Sequence, residues 1–362
     1  MGLRVLLTHV YSWPEVRRGG ERYLHEVGAG LAAAGHQVRI VSTASRASRA
    51  RIEGVDVTYL KRRELMPRRF GDLSPEVAFG ATAGLRYALG RFDVWHALGT
   101  ADAASASILG RLRNVRSVYT DLGISERSWR ERRPDRRLYD LVVKRVDRYV
   151  ALSESAAEGV RRDYGRRVDV LGGGVDLDAF APPAARAPKP TLLFTSVVDH
   201  PLKNFPLLLE ALAILRSRRP DVELWLAGPG DATPALEAGP AAAREAVVRL
   251  GVGELADLPG LYGRAWATVL PSRGEAFGIV VVESLACGTP VVTLDTGGAS
   301  ELVSPGVGAK AQETPEVLAD ACEQALDLAS TPGTAERCRA AAEPHDWRRG
   351  VIPRLERIYC DP

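Results

Sequence analysis

The chain has 362 residues, 46% hydrophobic and 26% charged, a length that suits two domains with enough apolar content to give each a core. Basic and acidic residues, 48 against 45, leave a net charge of +3, too balanced for a nucleic-acid-binding surface. The four cysteines, Cys287, Cys322, Cys338 and Cys360, show no CxxC spacing, which excludes a zinc knuckle and a secreted disulfide scaffold.

No apolar run reaches the roughly 18 residues of a membrane span. The apolar stretch after Met1 is too short for a secretory signal, so a cytoplasmic protein without membrane contact is expected. Of the basic residues 43 are Arg and only 5 are Lys, which makes each lysine conspicuous.

The chain opens with a strand pattern, Leu3 to Thr8, then a glycine turn at Gly19-Gly20. A helix follows with Leu24, Val27 and Leu31 on one face, Gly35 ends it, and 37–42 is the next strand. Strand, turn, helix, strand is the start of a parallel sheet. Further strands are expected at 55–60, 93–98, 115–120 and 148–153, with helices at 76–90, 101–112 and 137–146. The Pro- and Ala-rich stretch 181–190 reads as a linker. The pattern then restarts: strands at 191–196, 222–228, 267–271 and 290–295, a helix after Asn204 and another over 278–287. A last helix lies near 350–359. The expected organisation is a domain over 1–183, a second over 190–345, and a terminal helix over 346–362 returning toward the first. Open parallel sheets bind ligands beyond the carboxyl ends of their strands, so the site is expected in a cleft between the two domains.

The segment Ser272 to Gly298 is the richest in chemistry. Glu275 lies in the turn after a strand, and Gly278 opens a helix. The amides near Phe277, Gly278 and Ile279 are then unpaired and suit an anion such as a phosphate. Glu283 lies further along this helix among Val and Leu residues, where an unpartnered carboxylate is costly. It can accept hydrogen bonds from ribose hydroxyls. Lys203 follows the strand 191–196 and suits either the counter-charge of a diphosphate or a solvated loop lysine. Gly19 and Gly20 allow close approach of a ligand to backbone, without the GxGxxG of a nicotinamide site. Gly172 to Asp176 is a further glycine turn. His96, near a strand end, is either a cleft residue or a satisfied core histidine. Asp176-Leu177-Asp178 has the letters of a DxD motif but falls at the seam. No HExxH or His/Cys cluster points to a bound metal, and no GxSxG elbow to a hydrolase. Two arginine-rich stretches, Arg46 to Arg69 and Arg127 to Arg137, suit solvated faces, an anionic acceptor or an acidic surface.

Glu275-Ala276-Phe277-Gly278 with Glu283, the run Ala286 to Val292, Gly297-Gly298 with Glu301, the opening Gly19 to Val38, Gly172 to Phe180 and Trp347 together resemble glycosyltransferase family 4. That family is retaining, metal-independent and dependent on a nucleoside diphosphate-sugar, and it has the GT-B fold: α/β, two Rossmann-like parallel-sheet domains facing across a cleft. The resemblance spans nearly the whole chain. It implies that Lys203 neutralises the diphosphate and that Glu275 binds hydroxyls of the sugar. Glu283 would bind the ribose, and Ala276 to Ile279 the distal phosphate, with Gly20 lining its other side. Backbone near Gly228 and 250–262 would hold the base of the donor nucleotide, GDP or UDP by resemblance. His96 is carried as a third catalytic candidate beside Lys203 and Glu275. The first domain would bind the acceptor and the second the nucleotide sugar.

The chain departs from the family pattern at Val197, where many relatives carry Arg, at Leu98, where many carry a second His, at Thr120-Asp121-Leu122, and at Gly173. These departures suggest a small polar acceptor, such as a natural-product or antibiotic intermediate. Other activities that fit the same scaffold are a pseudo-glycosyltransferase, a nucleotide-sugar epimerase and a non-catalytic nucleotide-sugar binder. No coiled coil indicates an oligomeric state.

Overall fold

A computed structural model describes residues 2–13, 15–16, 19–62, 75–87, 90–123, 136–183, 185–251 and 257–361. Within the arginine-rich stretches, 63–69 and 127–135 lie outside these residues, as do 252–256 of the expected base region. The chain divides into two compact units, Met1–Gly173 with Trp347–Pro362, and Gly174–Asp346.

The first unit is built on an eight-stranded sheet in the order β3-β4-β2-β1-β5-β6-β7-β8. The strands are β1 Arg4–Thr8, β2 Gln37–Ala44, β3 Ser48–Ile52, β4 Val55–Lys61, β5 Val94–Ala97, β6 Arg116–Asp121, β7 Arg148–Ala151 and β8 Asp169–Val170. All pairings are parallel except β3 with β4. The central strands β1 and β5 are buried along nearly their whole length and read as short, mostly apolar runs. β3 has every residue exposed, so no hydrophobic pattern marks it in the sequence. It is joined to β4 by Glu53 and Gly54, both at positive φ, the backbone of a two-residue hairpin turn.

Gly19 and Gly20 are the first residues of the helix Gly19–Ala33, not a turn before it. A Cβ on Gly20 would meet Leu122 Cδ1 at 2.8 Å, whereas one on Gly19 would meet nothing within 4 Å. The helix buries Leu24, Val27 and Leu31, the face expected from their spacing.

The last residues complete this unit. Trp347–Val351 forms a π turn that runs into the helix Ile352–Cys360. Arg116 donates to the carbonyls of Tyr359 and Asp361, and Arg148 bridges Asp169 and the Asp361 carbonyl. His36 is 2.8 Å from Glu356 Oε1.

His96 is likewise part of this packing, which corrects its assignment as a catalytic candidate. It has 0% exposure, and its two ring nitrogens are each 2.7 Å from a hydroxyl, those of Tyr359 and Thr120. Both hydrogen-bonding positions of the imidazole are used by the core. Burial lowers its pKa to about 3.

A second buried polar group lies at the start of the helix Thr100–Arg113. Asp102 accepts from the Thr8 hydroxyl at 2.6 Å, and Thr8 accepts from the indole of Trp95 at 3.1 Å. Burial pushes Asp102 up to about 6, against the opposing hydrogen bond from Thr8.

The second unit has a six-stranded sheet, β11-β10-β9-β12-β13-β14, all parallel. Its strands are β9 Thr191–Phe194, β10 Glu223–Leu226, β11 Val247–Arg249, β12 Ala267–Leu270, β13 Val291–Leu294 and β14 Gly308–Ala311. A core of Leu192, Phe194, Leu208, Leu212, Leu318 and Leu326 joins the sheet to the helices Phe205–Arg218 and Pro315–Ala329. The stretch 181–190, read as a linker, lies inside this unit. Arg186 donates to the carbonyls of Ala265 (2.6 Å) and Gly288 (2.8 Å), and the Ala187 amide donates to Arg264 (2.8 Å). The chain passes between units at Gly173 and Gly174 instead.

The two buried groups of the first unit have opposite effects on stability as pH changes. Below the ordinary imidazole pKa the unfolded chain takes up a proton that folded His96 refuses, so acid weakens the fold down to about pH 3. Folded Asp102 keeps a proton that the unfolded chain releases, so its contribution is lost as pH rises from the ordinary carboxyl range to about 6. Between about pH 4 and 6 the two slopes offset one another. Asp102→Asn removes one of them. Its stability is expected to fall more steeply than the parent's on acidification from pH 6 to 4, by up to about 1.4 kcal/mol per pH unit. Parallel denaturant curves for the two proteins would refute this by showing equal slopes.

Candidate active site

In the second sheet the chain leaves β9 toward β10 and β11, then crosses back to β12 and builds outward through β13 and β14. β9 and β12 are neighbours whose following loops run in opposite directions, the switch point at which parallel sheets open a crevice. The loop after β9 carries Lys203 and the loop after β12 carries Glu275.

These two side chains meet. Lys203 Nζ lies 2.5 Å from Glu275 Oε2, each side chain 22% exposed. Their loops are also joined through backbone, since the Arg273 amide donates to the Leu202 carbonyl at 2.8 Å. Lys203 ends the short 3-10 turn Pro201–Lys203, where His200 Nδ1 accepts from the Leu202 amide. Asn204 follows in the left-handed region, φ 53°, and starts the helix Phe205–Arg218; asparagine tolerates that conformation better than most residues. Lys203 is therefore held at a sharp, defined corner.

The helix Ile279–Ala286 begins directly after Glu275-Ala276-Phe277-Gly278. Its preceding residue, Gly278, has φ +89° and supplies no side-chain cap, and its carbonyl accepts from the Val281 amide. The first amides of a helix lack intrahelical acceptors and carry its positive end. Phe277 is buried against His345, ring centroids 5.5 Å apart, while Ala276 and Ile279 are half-buried.

Gly297 closes the site from the next loop. It has φ +69°, and a Cβ there would stand 2.7 Å from the Glu275 carbonyl oxygen. The neighbouring Gly298 amide donates to that oxygen at 2.7 Å. Gly228 has a comparable packing role after β10: a Cβ would lie 1.8 Å from the Ser196 carbonyl oxygen, so only glycine lets these two loops pass.

Glu283, on the second turn of its helix, is 1% exposed. Its Oε2 accepts from the Tyr262 hydroxyl at 2.8 Å, and that hydroxyl is 3.1 Å from Thr195 Oγ1. The sequence demands a partner for this carboxylate but does not point to Tyr262, whose surroundings in Leu258–Arg264 read as those of any core tyrosine. The structure thus brings together Lys203, Glu275 and the 276–279 turn, with Glu283 on the helix that follows. Gly19, Gly20 and His96 belong to the first unit.

Residues 189–327 match the family described as "Glycosyl transferases group 1", and residues 17–179 match "Glycosyltransferase Family 4". The chain is 30% identical to a D-inositol 3-phosphate glycosyltransferase of Catenulispora acidiphila, over 79% of this chain and 75% of that protein. It is 28% identical to a phosphatidyl-myo-inositol mannosyltransferase of Propionibacterium freudenreichii, over 95% and 92%.

The chain belongs to the group 1/family 4 glycosyltransferases.

Its fold is GT-B and its activity is glycosyl transfer. Sucrose-phosphate synthase from Thermosynechococcus elongatus shares the fold with a TM-score of 0.78 at 20% identity, over 99% of this chain and 98% of that one. Anabaena HepE in complex with UDP-glucose shares it with a TM-score of 0.73 at 19% identity, over 98% of each chain. Among the described residues of this glycosyltransferase no helix is long and apolar enough to cross a membrane.

The close approach at Gly297 gives a test of how the Glu275 loop is held. Gly297→Ala puts a methyl group on a left-handed residue against the Glu275 backbone. A loss of at least about 1 kcal/mol of stability is expected, measured by thermal unfolding. Gly19→Ala, where the added methyl meets nothing within 4 Å, serves as the control. Equal melting temperatures for the two variants would contradict the packing argument.

Proposed function

We propose that this glycosyltransferase moves a sugar, with retention at its anomeric carbon, from a nucleoside diphosphate-sugar to a small polar acceptor of the inositol class. The observation that carries the donor site is the meeting of Lys203 and Glu275 at the β9/β12 switch point, beside the open start of the helix Ile279–Ala286.

In this reading the bond between the sugar's anomeric carbon and the β-phosphate oxygen breaks, and its electron pair stays on that oxygen. Lys203 and the helix amides stabilise the charge as it grows, more than they stabilise the intact donor. The acceptor oxygen attacks the sugar from the face the phosphate is leaving, and its proton passes to the departing phosphate. Glu275 orients the sugar through its hydroxyls, and Glu283 binds the ribose. Retention and independence from metal rest on the resemblance carried by Glu275, Gly278 and Glu283. The names of the two relatives support an inositol-bearing acceptor. The UDP-glucose complex of HepE supports UDP as the donor nucleotide, with GDP the second choice. Backbone near Gly228 would line the base.

Titration calorimetry against UDP, GDP, ADP, dTDP and CDP tests the donor site. One nucleotide is expected to bind, and Lys203→Ala to weaken it about tenfold or more, the scale of a charge-assisted hydrogen bond. Glu275→Gln should act in the opposite sense on the bare nucleotide. It frees the ammonium from its carboxylate, so diphosphate affinity rises several-fold while turnover with the nucleotide sugar falls. A folded parent that binds none of the five, or a lysine variant that binds as the parent does, would remove the proposal.

A further inference from the structure

We infer that Tyr262 is a positioning residue that presets Glu283 for the hydroxyl pair of a nucleotide ribose, and so sets the preference for ribonucleotides; this rests on the donor site proposed above. Tyr262 was not singled out by any sequence motif. Its hydroxyl donates to Glu283 Oε2 at 2.8 Å and lies 3.1 Å from Thr195 Oγ1. Three elements thus meet at the Tyr262 hydroxyl: the residue after β9, the helix Leu258–Arg264 and, through Glu283, the helix Ile279–Ala286.

The tyrosine cannot follow a moving carboxylate. Its side chain has 0% exposure, and its ring is tilted against Phe180 with centroids 6.2 Å apart. Its backbone carbonyl accepts from the Thr289 hydroxyl at 2.8 Å. Thr289 in turn accepts from Arg186, whose guanidinium also holds the carbonyls of Gly288 and Ala265. A glutamate has three side-chain torsions, and a bond to a hydroxyl fixed in this way selects one arrangement of them in advance.

The bond to Tyr262 does not exhaust the carboxylate, because an ionised carboxylate offers about four acceptor positions. Ribose hydroxyls donate to such a group. A sugar with hydrogens in their place would forgo those hydrogen bonds to a buried carboxylate, which is how a polar site rejects an analogue. Without Tyr262, Glu283 loses the hydrogen bond that fixes its Oε2, and part of the energy that distinguishes the two sugars is spent on re-ordering that oxygen.

The experiment compares UDP and GDP with their 2′,3′-dideoxy forms by titration calorimetry, for the parent, Tyr262→Phe and Thr195→Val, with thermal unfolding of each protein alongside. The parent is expected to prefer its ribonucleotide by at least about tenfold. In Tyr262→Phe that preference should shrink to within about threefold, mainly through weaker ribonucleotide binding, with dideoxynucleotide affinity nearly unchanged. Thr195→Val, which removes the outer hydroxyl and keeps the phenol, should lose part of the preference, and it stands as the test where the phenylalanine variant does not fold. If both sugars weaken equally in the variants, or if the ratio stays at the parent value, Tyr262 has a structural role only and the inference fails while the donor site stands. A parent that binds neither UDP nor GDP removes the donor site and the inference with it.

Discussion

Glu283 is 1% exposed on a helix whose other residues are Ile, Val, Ser, Leu and Ala, and much of the second unit is arranged to keep it hydrogen-bonded. An uncompensated carboxylate at that depth would be costly. Tyr262 supplies one hydrogen bond to it. Arg186 and Thr289 hold Tyr262, and Arg339 ties the end of the same helix, through Ala286, to the carbonyls of Leu177 and Phe180. The same bonds fix the end of β9, the helix Leu258–Arg264 and the helix Ile279–Ala286, which flank the switch point. The other glutamate of the pair behaves differently. Glu275 and Lys203 are partly exposed, and ion pairs of that kind add little to stability. One carboxylate is locked into the scaffold and the other is free to exchange partners.

The first unit depends on chain from its far end. The strand residues His96, Arg116 and Arg148 all bond to the last three residues described, Tyr359 to Asp361. The fold begun by residues up to Gly173 is closed only when Trp347 to Asp361 arrive, after the whole second unit has been traversed. The position of His96 near a strand end suggests access to a ligand. Its actual surroundings are set by a hydroxyl 263 residues away, which no local pattern records.

What the sequence discloses follows the same logic. Strands buried on both faces announce themselves as apolar runs, so β1, β9, β12 and β13 are all legible. β3 is wholly exposed, and β8 and β11 have only two and three residues, so none of them leaves a pattern to read. Gly19-Gly20 carries the letters of a turn, yet glycine also serves at a helix start where a neighbour presses close, here Leu122. Lys203 and Glu275 are legible because each follows a strand of the restarting pattern, and the switch point then brings such loops together. Tyr262 is not, because a buried tyrosine in an apolar stretch looks the same whether its hydroxyl bonds a functional carboxylate or any other group.

The charge at the switch point bears on the absence of an arginine at Val197. The loop from Thr195 to Asn204 has Lys203 as its only cation, and that charge is matched by Glu275, so the unliganded pair is neutral. On the proposed reading, a diphosphate would draw on Lys203 and on roughly half a charge from the helix start, and the first of these is available only when Glu275 turns away. A sugar on the nucleotide gives Glu275 hydroxyl donors to turn to. A bare nucleoside diphosphate gives it none, and the carboxylate then competes with the phosphate for the ammonium. With an arginine at 197 this competition would be diluted by a second, unmatched cation. On that same proposed reading, valine there ties the hold on the diphosphate to the presence of the sugar, which would favour retention of the donor before transfer and release of the nucleotide after it.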